Sequence, residues 1–358
     1  MKNTKIGEKM KFEWITDWDV VWSDDFVEKW YVWMQASENA HVFFHPSMVK
    51  AWVDTYMPIR NISPLFCVVT RDDTTIFLPL VLWKKNWKNA FERAIVPVGY
   101  SDFDYHDPIV TGGDEVLWEN FWDDFFKEVK HRWGTSFDTI DTDGIRTKSI
   151  GDSSNWKEGE ACPYIELTPF SSGEEFLKSL KKNLRQDTRR RVRRMEESGE
   201  SKFEVFKPNE VEAALQTLPK LLEHHVLRWP NAYKAPGFHE NLIKELLPTG
   251  LLHFSRISID GKTISWRIGF MFRSTYYSYM PTFDDEYKKC SPGKVHLFYC
   301  IDDAIKRGIK IYDQLRGAEL YKNEWTKTKD TVWIYKQTNA KSISMLKNNL
   351  NKLKHVVK

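Results

Sequence analysis

The stretch that most narrows the folds open to this chain runs from Leu251 to Trp325. Two apolar runs, LLHFSRIS and TISWRIGFMF, flank the turn Ile259-Asp260-Gly261-Lys262. A third run, STYYSYMP, leads to the acidic corner Phe283-Asp284-Asp285-Glu286-Tyr287. Ser291-Pro292-Gly293-Lys294 then opens the helical pattern VHLFYCIDDAIKRG, and IKIYDQLRG with Tyr321-Lys322 closes the segment. The apolar runs, the Asp-Gly turn and the change of period predict strand, strand, strand, Gly-containing loop, helix, strand.

The loop before the helix carries the chemistry. Pro292 suits a first helical turn, where its missing N–H costs nothing. Gly293 permits close approach of the backbone to a ligand. The first N–H groups of a helix have no internal partner, so they suit an anion such as a pyrophosphate. Ser291 as a plain N-cap accounts for the same residues.

In that order the elements resemble the acyl-CoA-binding half of GNAT-type acetyltransferases. The residues resemble one branch, the BioF2-like acetyltransferases associated with cellulose biosynthesis, which share their architecture with Fem-type aminoacyltransferases. The branch pattern is matched by Phe283, Asp284, Tyr287, Ser291, Pro292, Gly293, Arg307, Gly308, Asp313, Arg316, Gly317, Tyr321 and Lys322. The usual GNAT phosphate loop, Q/R-x-x-G-x-G/A, is absent. Acyl-CoA as donor is therefore implied by the branch and not by that motif.

At 358 residues the chain has room for about two domains. Its 41% hydrophobic and 15% aromatic content predicts a sizeable core, with most of the sixteen tryptophans packed. A net charge of +3 predicts no polyanion partner such as DNA from bulk electrostatics. No apolar run approaches a bilayer span, and MKNTKIGEKMKFEW lacks the apolar middle of a signal peptide. Cys67, Cys162, Cys290 and Cys300 have no C-x-x-C spacing and read as reduced thiols of a cytoplasmic protein.

Upstream, FFHPSMVKAWVDTYM predicts a helix entered through Pro46, and PLFCVVT and TIFLPLVLW predict a hairpin. RAIVPVG leads into Tyr100-Ser101-Asp102-Phe103-Asp104-Tyr105-His106-Asp107-Pro108, which resembles the S-D-Y/F-x-D/H-P stretch of the branch. EVLWENFWDDFFKEVKHRW predicts a helix and FDTIDTDGI a short strand. The N-terminal half thus echoes the order of the C-terminal half. The predicted fold is α/β (α+β): tandem GNAT-like units with mixed sheets flanked by helices. Residues 1–160 form an acceptor-side unit, 161–340 an acyl-CoA-side unit, and 341–358 a basic tail. Asp152 to Cys162 reads as a linker and PYIELTPF as a strand. One helix is expected over SSGEEFLKSLKKNLRQDTRRRVRRMEESG, with Ser172 and Glu175 as a capping box, and the next is interrupted at Pro219.

Acyl transfer from a thioester needs a deprotonated acceptor, donors for the tetrahedral oxyanion, and a proton or positive field for the leaving thiolate. The resemblance places the oxyanion donor on the backbone of Tyr276 to Met280, with Tyr279 on the donor side. It makes Tyr321 the candidate acid, with a packed aromatic as the plain alternative. Lys322 could meet the donor phosphates or be solvated. Three places compete for the base. Asp313 ends an apolar strand before a glycine. His225, with Arg228 and Trp229, matches an H-x-x-R-W pattern of the branch. Asp102, Asp104, His106 and Asp107 suit sugar hydroxyls or an ammonium, and would equally cap a turn. These, with Arg228, Trp229 and Arg316, form the expected acceptor side, which leaves Ser291, Pro292, Gly293, Lys294, Lys322 and Tyr279 to the donor. No metal is expected, since H-x-x-x-H and C-x-x-C spacings are missing.

Lys178 to Arg194 carries a dense basic block, matched in the branch at Lys182, Asn183, Arg185, Arg189 and Arg190. It reads as a solvated face, a phosphate contact, an anionic membrane surface or a tRNA contact. The expectation is an acyltransferase using acyl-CoA on an amino sugar, nucleotide-sugar or cell-envelope polysaccharide precursor, by direct transfer. The alternatives are aminoacyl-tRNA as donor, or a non-catalytic component of a polysaccharide-synthesis complex.

Overall fold

The computed structural model describes residues 10–85, 91–100, 102–112, 121–146, 156–230, 234–317 and 319–339. The N-terminal segment 1–9, Ser101, residues 152–155 of the expected linker and the basic tail lie outside the described residues. The chain divides into two compact units, Met1–Gly159 with Thr331–Lys358, and Glu160–Asp330.

The first unit runs through β1 (Lys11–Ile15), α1 (Trp18–Val21), α2 (Asp24–Ala36) and α3 (Pro46–Tyr56). Then come β2 (Asn61–Pro64), β3 (Phe66–Arg71), β4 (Thr74–Leu78), β5 (Leu80–Lys84), β6 (Arg93–Pro97), β7 (Ile109–Thr111), α4 (Phe121–Trp133) and β8 (Thr139–Ile145). Ser23 caps α2 through its hydroxyl, and Pro46 opens α3 as its sequence predicts. β1, β3, β4 and β7 form one antiparallel sheet. β6 and β8 pair in parallel, Ala94 opposite Thr139 and Ile95 opposite Ile140, with α4 in the crossover between them. Phe121, Trp122, Phe125, Phe126 and Val129 of α4 face a core that includes Leu78, Ile95 and Ile140.

The second unit begins within β9 (Trp156–Glu166) and continues through α5 (Gly173–Ser179), α6 (Lys182–Glu196), β10 (Ser201–Val205), α7 (Val211–Arg228) and α8 (Phe238–Leu246). β11 (Leu252–Ile259), β12 (Lys262–Phe272), β13 (Thr275–Phe283), α9 (Pro292–Lys306), β14 (Ile311–Asp313) and α10 (Lys322–Trp325) follow. Its sheet has the order β10-β11-β12-β13-β14-β9. Only β13 and β14 pair in parallel there, with α9 in the crossover. The motif of a parallel strand pair bridged by a helix therefore occurs in both units. β15 (Lys329–Thr338) ends the described chain, and from Thr331 it groups with the first unit, although the sequence reading kept residues to 340 in the second.

Three local expectations are corrected. Residues 156–162 are strand, not linker, and they extend β9 ahead of Pro163. The basic helix is two helices, broken at Leu180 and Lys181, whose ψ angles of 161° and 139° are extended. No proline or glycine marks that break. α7 runs through Pro219 because Ala214, Leu218 and Leu221 bury one face around the proline. That burial outweighs the single backbone bond a proline removes. The capping box is half made: Ser172 Oγ accepts from the Glu175 amide, while Glu175 takes the Ser171 amide.

Candidate active site

In the second unit the parallel register sets Thr275, Tyr276 and Tyr277 against Ile311, Tyr312 and Asp313. β14 ends there, while β13 runs on to Phe283 with no strand partner on that side among the described residues. The pairing of β12 with β13 also slips, so that Ile268 faces Met280 but Phe270 faces Tyr277. This bulge falls inside Tyr276 to Met280, the stretch assigned to the oxyanion donor, and a bulge withdraws one residue from the ladder. Gly269 sits opposite it; a Cβ there would lie 2.4 Å from the Tyr276 hydroxyl and 2.8 Å from the Tyr277 carbonyl.

Where β13 outruns β14, a cavity of about 230 Å³ opens. Pro281, Thr282 and Phe283 of β13 line it, with Gly293, Lys294 and Leu297 from the start of α9. Arg228 and Trp229 close it from the end of α7, and Arg267, Tyr321 and Trp325 complete the wall. A second, more open groove of about 540 Å³ shares Lys294 and includes Lys181, Asn183, Asp187 and Lys327.

The start of α9 is not plugged by a side-chain cap. Ser291 adopts a left-handed conformation (φ 52°) and makes no side-chain capping bond. Its carbonyl accepts from the Lys294 and Val295 amides at 3.0 and 3.3 Å. Gly293 also has a packing role. A Cβ there would approach the Phe283 ring to 3.2 Å, so the glycine admits a neighbouring side chain. Lys294 bridges Asp187 at 3.0 Å and Glu324 at 3.4 Å. Burial opposes ionisation of Asp187, but Lys294 and Arg190 outweigh it and hold its carboxyl at about 2.

Tyr321 lines the cavity. Burial pushes its phenol up from the ordinary value and the Arg267 charge only partly offsets this, so the phenol is a proton donor at neutral pH. Arg228 stacks on Phe283, 3.5 Å from its centroid, and pairs with Asp285 at 2.6 Å. Trp229 lies against His225, with ring centroids 4.9 Å apart. His225 itself is outside the cavity wall. Burial and the nearby Lys234 and Arg228 charges lower it to about 4, which leaves it neutral but weakly basic.

Several expected site residues have structural employment. Lys322 is buried; its ammonium donates to the Leu315 and Arg316 carbonyls at 3.4 and 2.5 Å and pairs with Glu319 at 2.9 Å. It ties its own loop together. Arg316 contributes that carbonyl and is half-buried. Asp313 accepts the Leu315 amide at 2.7 Å in a turn that starts as β14 ends. Tyr279 packs on His239 and Phe270, away from the cavity wall. In the first unit, Asp102 accepts from the Trp52 indole at 2.8 Å. His106 bonds the Asp143 carbonyl at 2.7 Å, and Asp107 pairs with Arg146 at 2.7 Å. All three are buried and Asp104 is half-buried, so the polar loop that suggested an acceptor site holds its own fold.

The sequence reading missed Arg267, Thr282, Leu297 and Trp325. Arg267 had a visible signal, a lone cation within the apolar run TISWRIGFMF.

Residues 182–323 match the family model described as the acetyltransferase (GNAT) domain. The match contains α6 to α9, the bulged strand, the cavity wall up to Tyr321, and the shared Lys294. No curated protein matches the chain. Among solved structures, the crystal structure of FemX is similar over 91% of this chain and 97% of its own, at 11% identity and a TM-score of 0.61. A conserved protein of unknown function from Bacteroides thetaiotaomicron VPI-5482 is similar over 91% and 99%, at 11% identity and a TM-score of 0.56. Both similarities are of fold. No described helix is long and apolar enough to cross a membrane.

Proposed function

We propose that this chain transfers an acyl group from acyl-CoA to an amine or hydroxyl of an acceptor, with an amino sugar, nucleotide-sugar or envelope polysaccharide precursor as the acceptor class. One observation carries the reading: the cavity opens where β13 outruns β14, beside the first turn of α9. An acyl thioester laid along that gap meets backbone donors of β13 at its carbonyl. Its diphosphate meets the start of α9 and the lysines of the adjoining groove.

The acceptor's lone pair attacks the thioester carbon, and the carbonyl electrons move to oxygen as a tetrahedral oxyanion. When the oxyanion collapses the carbon–sulfur bond breaks, and the departing thiolate takes the Tyr321 proton. No carboxylate or imidazole is among the residues lining the cavity, so an amine acceptor enters as the free base or loses its proton to solvent. The transfer is direct and forms no bond to the protein. Calorimetry with CoA and acetyl-CoA tests the donor; no heat from either at millimolar concentration removes this reading.

A second reading keeps the cavity and takes aminoacyl-tRNA as donor. It is supported by the similarity of fold to FemX and by the arginines along α6. Several of these have local partners: Arg189 pairs with Glu174, Arg190 and Arg191 with Asp187. A filter assay with charged tRNA distinguishes the two, since polyanion binding weakens steeply with salt.

A further inference from the structure

Arg267 sits in the cavity wall, 2% exposed, and among the described residues that line the cavity none is a carboxylate. Among the described residues its side chain bonds only Ser278, a terminal nitrogen donating to Oγ at 2.7 Å, and Tyr312 donates to the same oxygen at 3.3 Å. Its Nε is buried without a partner. The titratable groups that act on it are Tyr276, Tyr312, Tyr321, Cys300 and His296, and at neutral pH all are uncharged. On α9 the half-buried Asp303 is taken up by His253 and Arg307. A guanidinium stays ionised at any physiological pH, and burying one without a counter-charge is costly. The other two cations of the wall are already matched, Arg228 by Asp285 and Lys294 by Asp187 and Glu324. The cavity therefore holds one uncompensated positive charge, at a planar group with a free donor edge.

We infer that the cavity receives a carboxylate of the substrate, paired with the free edge of Arg267. With Arg228 and Lys294 already paired, the one uncompensated charge, beside the apolar side chains of Pro281, Phe283, Leu297 and Trp325, matches a monoanion better than a multiply charged phosphate. A guanidinium donates in a planar fork that fits the two oxygens of a carboxylate. That carboxylate is either the far end of a dicarboxylic acyl group on CoA or the carboxylate of an amino-acid-like acceptor. The inference rests on the acyl-CoA reading and narrows it.

Calorimetry on the full chain compares succinyl-CoA with butyryl-CoA, which differ by the terminal carboxylate. In parallel, acetyl transfer from acetyl-CoA is followed to amino acids and to their amides. The expected result is a preference for the carboxylate of roughly thirtyfold or more in one arm, lost in Arg267→Met and partly kept in Arg267→Lys. The arm that shows it identifies the source. If CoA esters bind but neither arm prefers the carboxylate, the inference is overturned and the acyl-CoA reading stands. If no CoA ester binds, that reading falls and takes the inference with it. The wild-type comparison decides the matter even if Arg267→Met does not fold.

Discussion

Tyr321 and Lys322 are adjacent in sequence and opposite in employment. Tyr321 faces the cavity beside Arg267, so Tyr321→Phe removes a proton donor without disturbing a bonded network. The expected loss in kcat is about a hundredfold or more, with CoA affinity unchanged. Because burial raises the Tyr321 phenol, the acid stays protonated above the ordinary tyrosine value of 10.0, and wild-type kcat should show no loss to its ionisation below about pH 10. A tenfold drop already at pH 9 would remove Tyr321 from the acid role. Lys322→Met, by contrast, strands two carbonyls and should cost about 1–3 kcal/mol in denaturant unfolding. Its CoA affinity should match wild type; a weakened affinity in a folded Lys322→Met would return the lysine to the phosphates. A Y-K pair at the start of a short helix carries no mark of which member is buried. That depends on where the loop from Leu315 closes, and the closure is set by packing that spacing does not encode. Arg267 was legible as an oddity of composition, but its lack of a partner required its neighbours.

At the scale of elements, the order of strands and helix from Leu251 onward was legible because each carries its own period. The hairpin turn at Asp260-Gly261, the Pro292 start of α9 and the amphipathic face of α9 are all local signals. The bulge in β13 was not legible, since no glycine or proline interrupts STYYSYM. It arises across strands, where Gly269 leaves room for Tyr276 to fold its hydroxyl over the neighbouring backbone. Gly269→Ala places a methyl against the Tyr277 carbonyl, an atom that cannot rotate away. The expected cost is about 1–3 kcal/mol, with a fall in kcat larger than the change in KM, because the oxyanion donor shifts while the donor-binding groove is untouched. Equal stability and equal kcat in Gly269→Ala would mean that the bulge plays no part in the chemistry. The structural role of the Asp102 loop was hidden for the converse reason. Its polar residues share the density of charge that marks a binding loop, and only burial distinguishes carboxylates that serve a ligand from carboxylates that serve Trp52 and Arg146.

Across the whole molecule, both units bury histidines that the fold keeps neutral. His41 and His45 in the first unit are held at about 3 and about 4, and His239 and His225 in the second at about 3 and about 4, chiefly by burial. Their ordinary value is 6.5. The sign follows from linkage. Above pH 6.5 neither folded nor unfolded chain binds these protons, and the histidines contribute nothing to pH dependence. Below it the unfolded chain takes them up while the folded chain does not, so stability falls as pH drops toward 4. Each fully buried histidine should contribute a slope of about 1.4 kcal/mol per pH unit. The carboxylate contribution runs in the same direction but later: Asp187, held at about 2, loses its ion pairs only below the ordinary 3.8. The urea midpoint is therefore expected to fall steadily from pH 6.5 to 4.5, before carboxylates titrate. His239→Phe should flatten that slope by about one proton's worth while leaving stability at pH 8 within the range of an ordinary core exchange, since His239 already packs on Tyr279 without ionising. A midpoint constant over that interval would mean that these imidazoles reach solvent in the folded chain, and that the tight interior assigned to both units is too tight.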